Sequence, residues 1–160
     1  MQTQEDQGEI AIEMAGWADL TGLLTLYQFL NSDDPLLPVD DSLQRHWQQI
    51  LDNEALYYIV ARSEGKLVST CNLTIVPNLT RSARPYGLIE NVVTHPDYRR
   101  RGIGTNVLQY ALAIAWKHAC YKVMLLTSSK QESTFRFYEQ AGFMRGEKTG
   151  FVARPEKTTV

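Results

Sequence analysis

Val92-Val93-Thr94-His95-Pro96-Asp97-Tyr98-Arg99-Arg100-Arg101-Gly102-Ile103-Gly104 joins an apolar, β-branched run to an apolar helical one through three arginines and two glycines. Glycines at Gly-x-Gly spacing let the backbone turn tightly and bring consecutive N–H groups to an anion with no Cβ in the way. A helix that begins there adds unpaired N–H groups and the positive end of its dipole. Arg99, Arg100 and Arg101 add positive charge able to pair with phosphate oxygens. The pattern predicts a pyrophosphate cradle at a strand-to-helix junction. Two familiar phosphate loops are excluded. A Walker loop needs Gly-Lys-Ser/Thr, and the stretch has no lysine. A dinucleotide fingerprint needs a third glycine where Val107 stands, and it follows the first strand of its fold.

Outward from this junction, 86–94 is nearly continuous in apolar residues and predicts a central strand ending before Pro96. Residues 104–118 place Val107, Leu108, Ala111, Ile114 and Ala115 on one helical face. Residues 123–127 (VMLLT) predict a buried strand. Ser129-Lys130-Gln131-Glu132 has the form of a capping box and opens a helix that Gly142 ends. Two short strands are expected at 143–147 and 151–154. Toward the N-terminus, 8–14 alternates as a strand, and Leu20, Leu23, Leu24, Tyr27 and Leu30 mark an amphipathic helix. Ser42 is placed to cap a second helix carrying Leu43, Trp47, Ile50 and Leu51. Residues 57–62 and 66–76 form a hairpin around Ser63-Glu64-Gly65, and a polar loop, 77–85, follows. The order β-α-α-β-β-β-α-β-α-β-β predicts an α/β fold of the mixed-sheet (α+β) kind. One domain, 8–155, lies between tails at 1–7 and 156–160.

The 160 residues suffice for one core. A hydrophobic content of 44% against 21% charged residues excludes a disordered chain, and a net charge of -2 argues against a nucleic-acid binder. The charge is unevenly laid out: residues 1–44 hold nine acids and no Lys or Arg, so that the rest is net positive. No apolar run reaches the roughly 18 residues of a membrane span, and no targeting signal is visible. Cys71 and Cys120 suit neither a disulfide framework nor a metal site. A cytoplasmic, metal-free protein without membrane or nucleic-acid partners is expected, with exposed strand ends that suit a homodimer.

Three linked pieces resemble the GNAT superfamily of acetyl-CoA-dependent N-acetyltransferases: 92–104, the strand VMLLT, and Phe135-Arg-Phe-Tyr-Glu-Gln-Ala-Gly-Phe143. The resemblance implies a mostly antiparallel sheet of six to seven strands flanked by about four helices. It also implies that backbone groups of Val92, Val93 and Thr94 pair with the pantetheine arm of acetyl-CoA. The loop Arg99, Arg100, Arg101, Gly102, Ile103, Gly104 and Thr105 then surrounds its pyrophosphate. Gln131 stands where many members carry an asparagine that touches the cofactor. Tyr138 takes the place of a tyrosine near the thioester sulfur that protonates the departing thiolate; the alternative is a core aromatic beside Phe135.

Glu90 is a lone carboxylate in a strand, where an unpaired buried charge would be costly. Either an arginine satisfies it, or the sheet opens there onto a polar site. An alkyl ammonium attacks a thioester only after losing a proton, which a carboxylate can accept. Residues 89–93 (IENVV) and 120–123 (CYKV) are similar to segments of glucosamine-6-phosphate N-acetyltransferases, which implies an acid near the acceptor. In the wider family the first two helices and the loop 77–85 border the acceptor. Asp33, Asp34, Asp40 and Asp41 there favour a small cationic amine; Arg81 and Arg84 favour an acidic or phosphorylated one, such as an amino-sugar phosphate. A non-catalytic acyl-CoA-binding or regulatory domain is the rival reading.

Overall fold

The computed structural model describes residues 9–155. Gly8, and the tails expected at 1–7 and 156–160, lie outside the described residues. In chain order the elements are β1 (Ile10–Met14), α1 (Leu20–Tyr27), α2 (Asp41–Leu51), β2 (Leu56–Ser63), β3 (Lys66–Val76), β4 (Tyr86–Thr94), α3 (Ile103–Lys117), β5 (Val123–Leu125) and α4 (Glu132–Gln140). Short 3-10 turns, Trp17–Asp19 and Pro96–Tyr98, lead into α1 and follow β4. The strands lie in the order β1-β2-β3-β4-β5, antiparallel except for the parallel pair β4–β5. Among the described residues no helix is long and apolar enough to cross a membrane.

The sheet is a layer between two pairs of helices. On one face Val107, Leu108, Ala111 and Ala115 of α3 bury against Ile59, Ala61, Cys71, Leu73 and Ile89, with Phe137 and Tyr138 of α4 packed alongside. On the other, Leu23 of α1 and Trp47 of α2 close over Val60, beside Tyr58 and Leu67. Each fully buried large aliphatic contributes about 1.5–3 kcal/mol relative to exposure. Arg62 fastens the N-terminal end: its Nη2 lies 2.7 Å from Asp19 Oδ1, its Nε reaches Glu13, and the two carboxylates push its already high pKa further up.

The class is as expected, and the differences lie at element ends. There are five strands rather than six to seven, because 143–147 and 151–154 pair with nothing among the described residues. At the end of α4 the chain closes on itself. Gly142 (φ +105) gives its N–H to Glu139, and Phe143 gives its N–H to Tyr138. Gly146 and Gly150 then interrupt the alternation. Asp40, not Ser42, caps α2, its Oδ1 taking the Leu43 N–H at 2.9 Å. The capping box at Ser129 does not close either: Ser129 Oγ accepts from Gln131 N–H at 3.2 Å, and the helix starts after Gln131. Inside the loop 77–85, Arg81, Ser82 and Ala83 make one left-handed turn, spanned by Asn78, whose Nδ2 donates to the Thr80 and Arg84 carbonyls.

One irregularity places the functional region. Thr70 pairs with Val93 and Asn72 with Glu90, so Cys71 alone faces both Asn91 and Val92. This is a β-bulge with its extra residue, Asn91, in the left-handed region at φ +53. β5 follows β4 only to the pair Ile89–Leu125. Past the bulge the two strands separate.

Candidate active site

A cleft of about 850 Å³ opens where β4 and β5 part, floored by Val92, Val93 and Thr94 and walled by the loop into α3 and by α4. Arg99, Arg100, Gly102, Ile103, Gly104, Thr105, Gln131 and Tyr138 also line it. The loop conformation explains the glycines. Arg100 and Gly102 both take positive φ, +59° and +76°, and residues in this hand within such a turn point successive N–H groups into one concavity. The Asn106 N–H bonds back to the Gly102 carbonyl at 3.0 Å, which leaves Ile103, Gly104 and Thr105 as the orphan donors of the first helical turn. Gly104 is where α3 meets its neighbours: a Cβ there would sit 3.0 Å from Thr94 Oγ1 and 3.1 Å from the Phe137 ring.

The three arginines diverge. Arg99 Nε donates to the Thr94 carbonyl at 3.0 Å, which ties the loop to the end of β4. The Arg101 guanidinium lies 5.2 Å from the Tyr98 ring centroid, outside the cleft lining. Arg100 faces the cleft.

Tyr138 projects from α4 into the cleft, with its ring against Phe137 (4.9 Å between centroids) and Phe143 (6.3 Å). Burial, and then the nearby Cys71 and Glu90, raise its hydroxyl pKa, so it stays protonated over a wide range. Phe135 turns elsewhere and stacks under Arg145. Glu90 lies two residues before the cleft floor, exposed, with no cation in ion-pair distance among the described residues. Of the two situations open to a strand carboxylate, pairing with an arginine is not seen among the described residues.

Several cleft residues lie outside the motifs visible in the sequence. Phe29 and Leu30, just past α1, line the cleft, and Phe29 meets His95 edge-on at 4.7 Å. Thr134 lines it from α4, beside Phe137 of the motif 135–143. The asparagine at the bulge does carry a signal, since Asn tolerates the left-handed region better than any β-branched residue around it. Two other expectations weaken. Of the acids grouped in 1–44, Glu13 and Asp19 bind Arg62, and Asp40 caps α2. Arg84 is spent on the Ala119 and Cys120 carbonyls, at 3.1 and 3.3 Å. Among the described residues no cluster of His, Cys, Asp or Glu is placed to hold a metal.

Comparison with known proteins bears on this geometry. The family model described as the acetyltransferase (GNAT) family matches residues 22–143. A glucosamine 6-phosphate N-acetyltransferase of Trypanosoma brucei brucei is 38% identical over 84 residues, which span 52% of this chain and 55% of that protein. The enzyme of the same name from Arabidopsis thaliana is 26% identical over 137 residues, 84% of this chain and 85% of its own. A solved structure from Agrobacterium tumefaciens strain C58, described as an acetyltransferase, superposes with a TM-score of 0.86 at 46% identity, covering 91% of this chain and 99% of its own. With a family match over most of its length and the separated strands, glycine loop and tyrosine all in place, this chain belongs to the GNAT family of acetyltransferases.

Proposed function

We propose that the protein moves the acetyl group of acetyl-CoA directly to a primary amine of a small acceptor, within one domain spanning 8–155. One observation carries this reading: a single cleft gathers every residue expected to hold acetyl-CoA apart from Arg101, with Tyr138 at its inner side and Glu90 just beyond. The pyrophosphate lies against the N–H groups of the loop Arg100 to Thr105, and Arg100 adds charge. The pantetheine arm replaces β5 as the hydrogen-bonding neighbour of Val92, Val93 and Thr94. The ammonium first loses one proton to solvent; as the neutral nitrogen bonds to the acetyl carbon, Glu90 accepts a second proton from it, the C–S bond breaks, and Tyr138 protonates the departing sulfur. No acyl-enzyme forms. Burial of Cys71 raises its thiol pKa to about 12, which makes it a poor nucleophile.

The acceptor site lies on the Glu90 side, where an exposed, unpaired carboxylate favours a cationic amine over an acidic one. A second reading has its own support. Arg81 and Lys122 lie 6.0 and 5.3 Å from the Tyr121 ring centroid with no carboxylate partner among the described residues, and two relatives are named for glucosamine 6-phosphate. A phosphorylated amino sugar would use that charge.

The test is thiol release from acetyl-CoA across cationic amines, amino sugars and their phosphates, paired with thermal melting. Saturating acetyl-CoA at about 100 times its dissociation constant adds roughly 2.7 kcal/mol of stability. No stabilisation overturns the acetyl-CoA reading. Stabilisation without turnover of any amine leaves an acyl-CoA-binding domain. Turnover confined to phosphorylated acceptors selects the second acceptor.

A further inference from the structure

On the sheet face covered by α1 and α2, three residues stand side by side on adjacent strands: Tyr58 on β2 pairs with Asn72 on β3, and Asn72 pairs with Glu90 on β4. Directly paired residues share a face with their Cβ atoms about 5 Å apart. The row runs from half-buried Tyr58, through Asn72 at 9% exposure, to exposed Glu90. Tyr58 belongs to the packed layer under α2, edge-on to Trp47 at 5.3 Å. Asn72 has no such explanation: its Oδ1 is buried without a hydrogen-bond partner. The other buried polar side-chain atom without a partner among the described residues is the hydroxyl of Tyr27, at the end of α1, which packs on the same face beside Tyr58.

A buried acceptor atom left unpaired costs stability, and an apolar side chain of the same size would avoid that cost. Both unpaired atoms lie on one face, close to the only exposed carboxylate of β4. We propose that Asn72 is an acceptor-binding residue whose amide oxygen takes one N–H of the incoming amine. This deepens the proposed function and rests on its placement of the acceptor beside Glu90.

The chemistry requires two proton-accepting contacts and receives two. A neutral primary amine has two N–H bonds and one lone pair. With one N–H on Asn72 and the other directed at Glu90, one strand away, the lone pair is left to face the acetyl carbon. As the C–N bond forms and the C–S bond breaks, the proton facing Glu90 passes to that carboxylate, and the sulfur takes the Tyr138 proton. The terminal torsion of asparagine is broad and two-fold, so its oxygen can turn to meet the ligand. A secondary amine has only one N–H to share between the two oxygens. The arrangement therefore selects primary amines, a preference that Glu90 alone would not impose.

The test is Asn72→Leu, assayed with the best acceptor from the amine panel and with its N-methyl derivative. Expected are a melting temperature equal to or above wild type, an unchanged shift on adding acetyl-CoA, and an acceptor KM raised ten-fold or more with the KM for acetyl-CoA unchanged. The preference for the primary over the N-methyl amine should shrink at least five-fold. Asn72→Gln, which keeps the amide, should recover part of the acceptor KM. If the wild type turns over an amine and Asn72→Leu changes neither its KM nor the N-methyl preference, Asn72 is a structural residue that pairs with buried water, and the inference fails while the proposed function stands. If Asn72→Leu melts below wild type with KM unmoved, the inference fails in the same way. If the wild type acetylates no amine, both fall together.

Discussion

In the proposed reaction Glu90 and Tyr138 divide proton transfer between them, and each can be removed without disturbing the fold, since one is exposed and the other loses only a hydroxyl. Glu90→Gln should lower kcat by about 100-fold, at the low end of what a positioned base contributes, and Tyr138→Phe by less, because a thiolate leaves acceptably without help. Neither should change the KM for acetyl-CoA. Steady-state kinetics on the two variants checks this, and full activity in both would dismiss the assignments. The raised pKa of Tyr138 also sets a direction with pH: the acid form persists at neutral and mildly alkaline pH, so kcat should fall on the alkaline side only above the ordinary tyrosine range. At this scale the sequence was a good guide to which residues line the cleft and a poor one to charge. A count of acids cannot tell which ones are engaged, and Glu13, Asp19 and Asp40 proved to be tied to Arg62 and to a helix end.

Elements were legible where periodicity ran long. The hairpin of β2 and β3 and the apolar stripe of α3 follow directly from their patterns. The segments 143–147 and 151–154 did not become strands, because alternation over four or five residues says nothing about whether a partner edge lies alongside. The bulge at Asn91 was hidden for a related reason: pairing register is a property of two strands, and a single sequence displays them one at a time. The loop into α3 offers a sharp contrast between its glycines. Gly102 has φ +76 and open space where a Cβ would stand, so Gly102→Ala should cost about 1–2 kcal/mol of backbone strain and weaken acetyl-CoA binding. Gly104 has ordinary φ but no room, so Gly104→Ala must displace Phe137 and with it the neighbouring Tyr138. It should lower kcat as well as raise the KM for acetyl-CoA, whereas Gly102→Ala should act mainly on KM. Kinetics with acetyl-CoA varied separates the two.

Across the whole molecule, burial keeps several weak acids neutral at once. The pKa values of Cys71, Tyr27 and Tyr138 are all raised chiefly by desolvation, that of Cys71 from 9.0 to about 12. In the unfolded chain these groups ionise at their ordinary values, so between pH 9 and 12 the folded state holds more protons. The stability this represents is complete below about pH 9 and is lost as pH rises toward 12. The melting temperature should therefore fall steeply over that window, and Cys71→Ala, though starting lower for lost packing, should show a shallower decline. Native protein should also leave Cys71 unreacted with iodoacetamide until it is unfolded.

The extra residue at Asn91 works as a phase shift in β4. Ahead of it, even-numbered Leu88 and Glu90 point toward α1 and α2. Behind it, Val93 has taken over that side, and even-numbered Thr94 points toward α3, where its hydroxyl meets Ser69 Oγ at 2.8 Å. One continuous strand thus presents Glu90 on one side and Thr94 on the other, with the change of side falling between them. Without Asn91 the chain would keep its composition, charge and hydrophobic content almost intact. Yet the group proposed to take the proton and the backbone proposed to hold the acyl donor would be out of step by one residue, so in this fold the count of residues between two such groups matters as much as their identity.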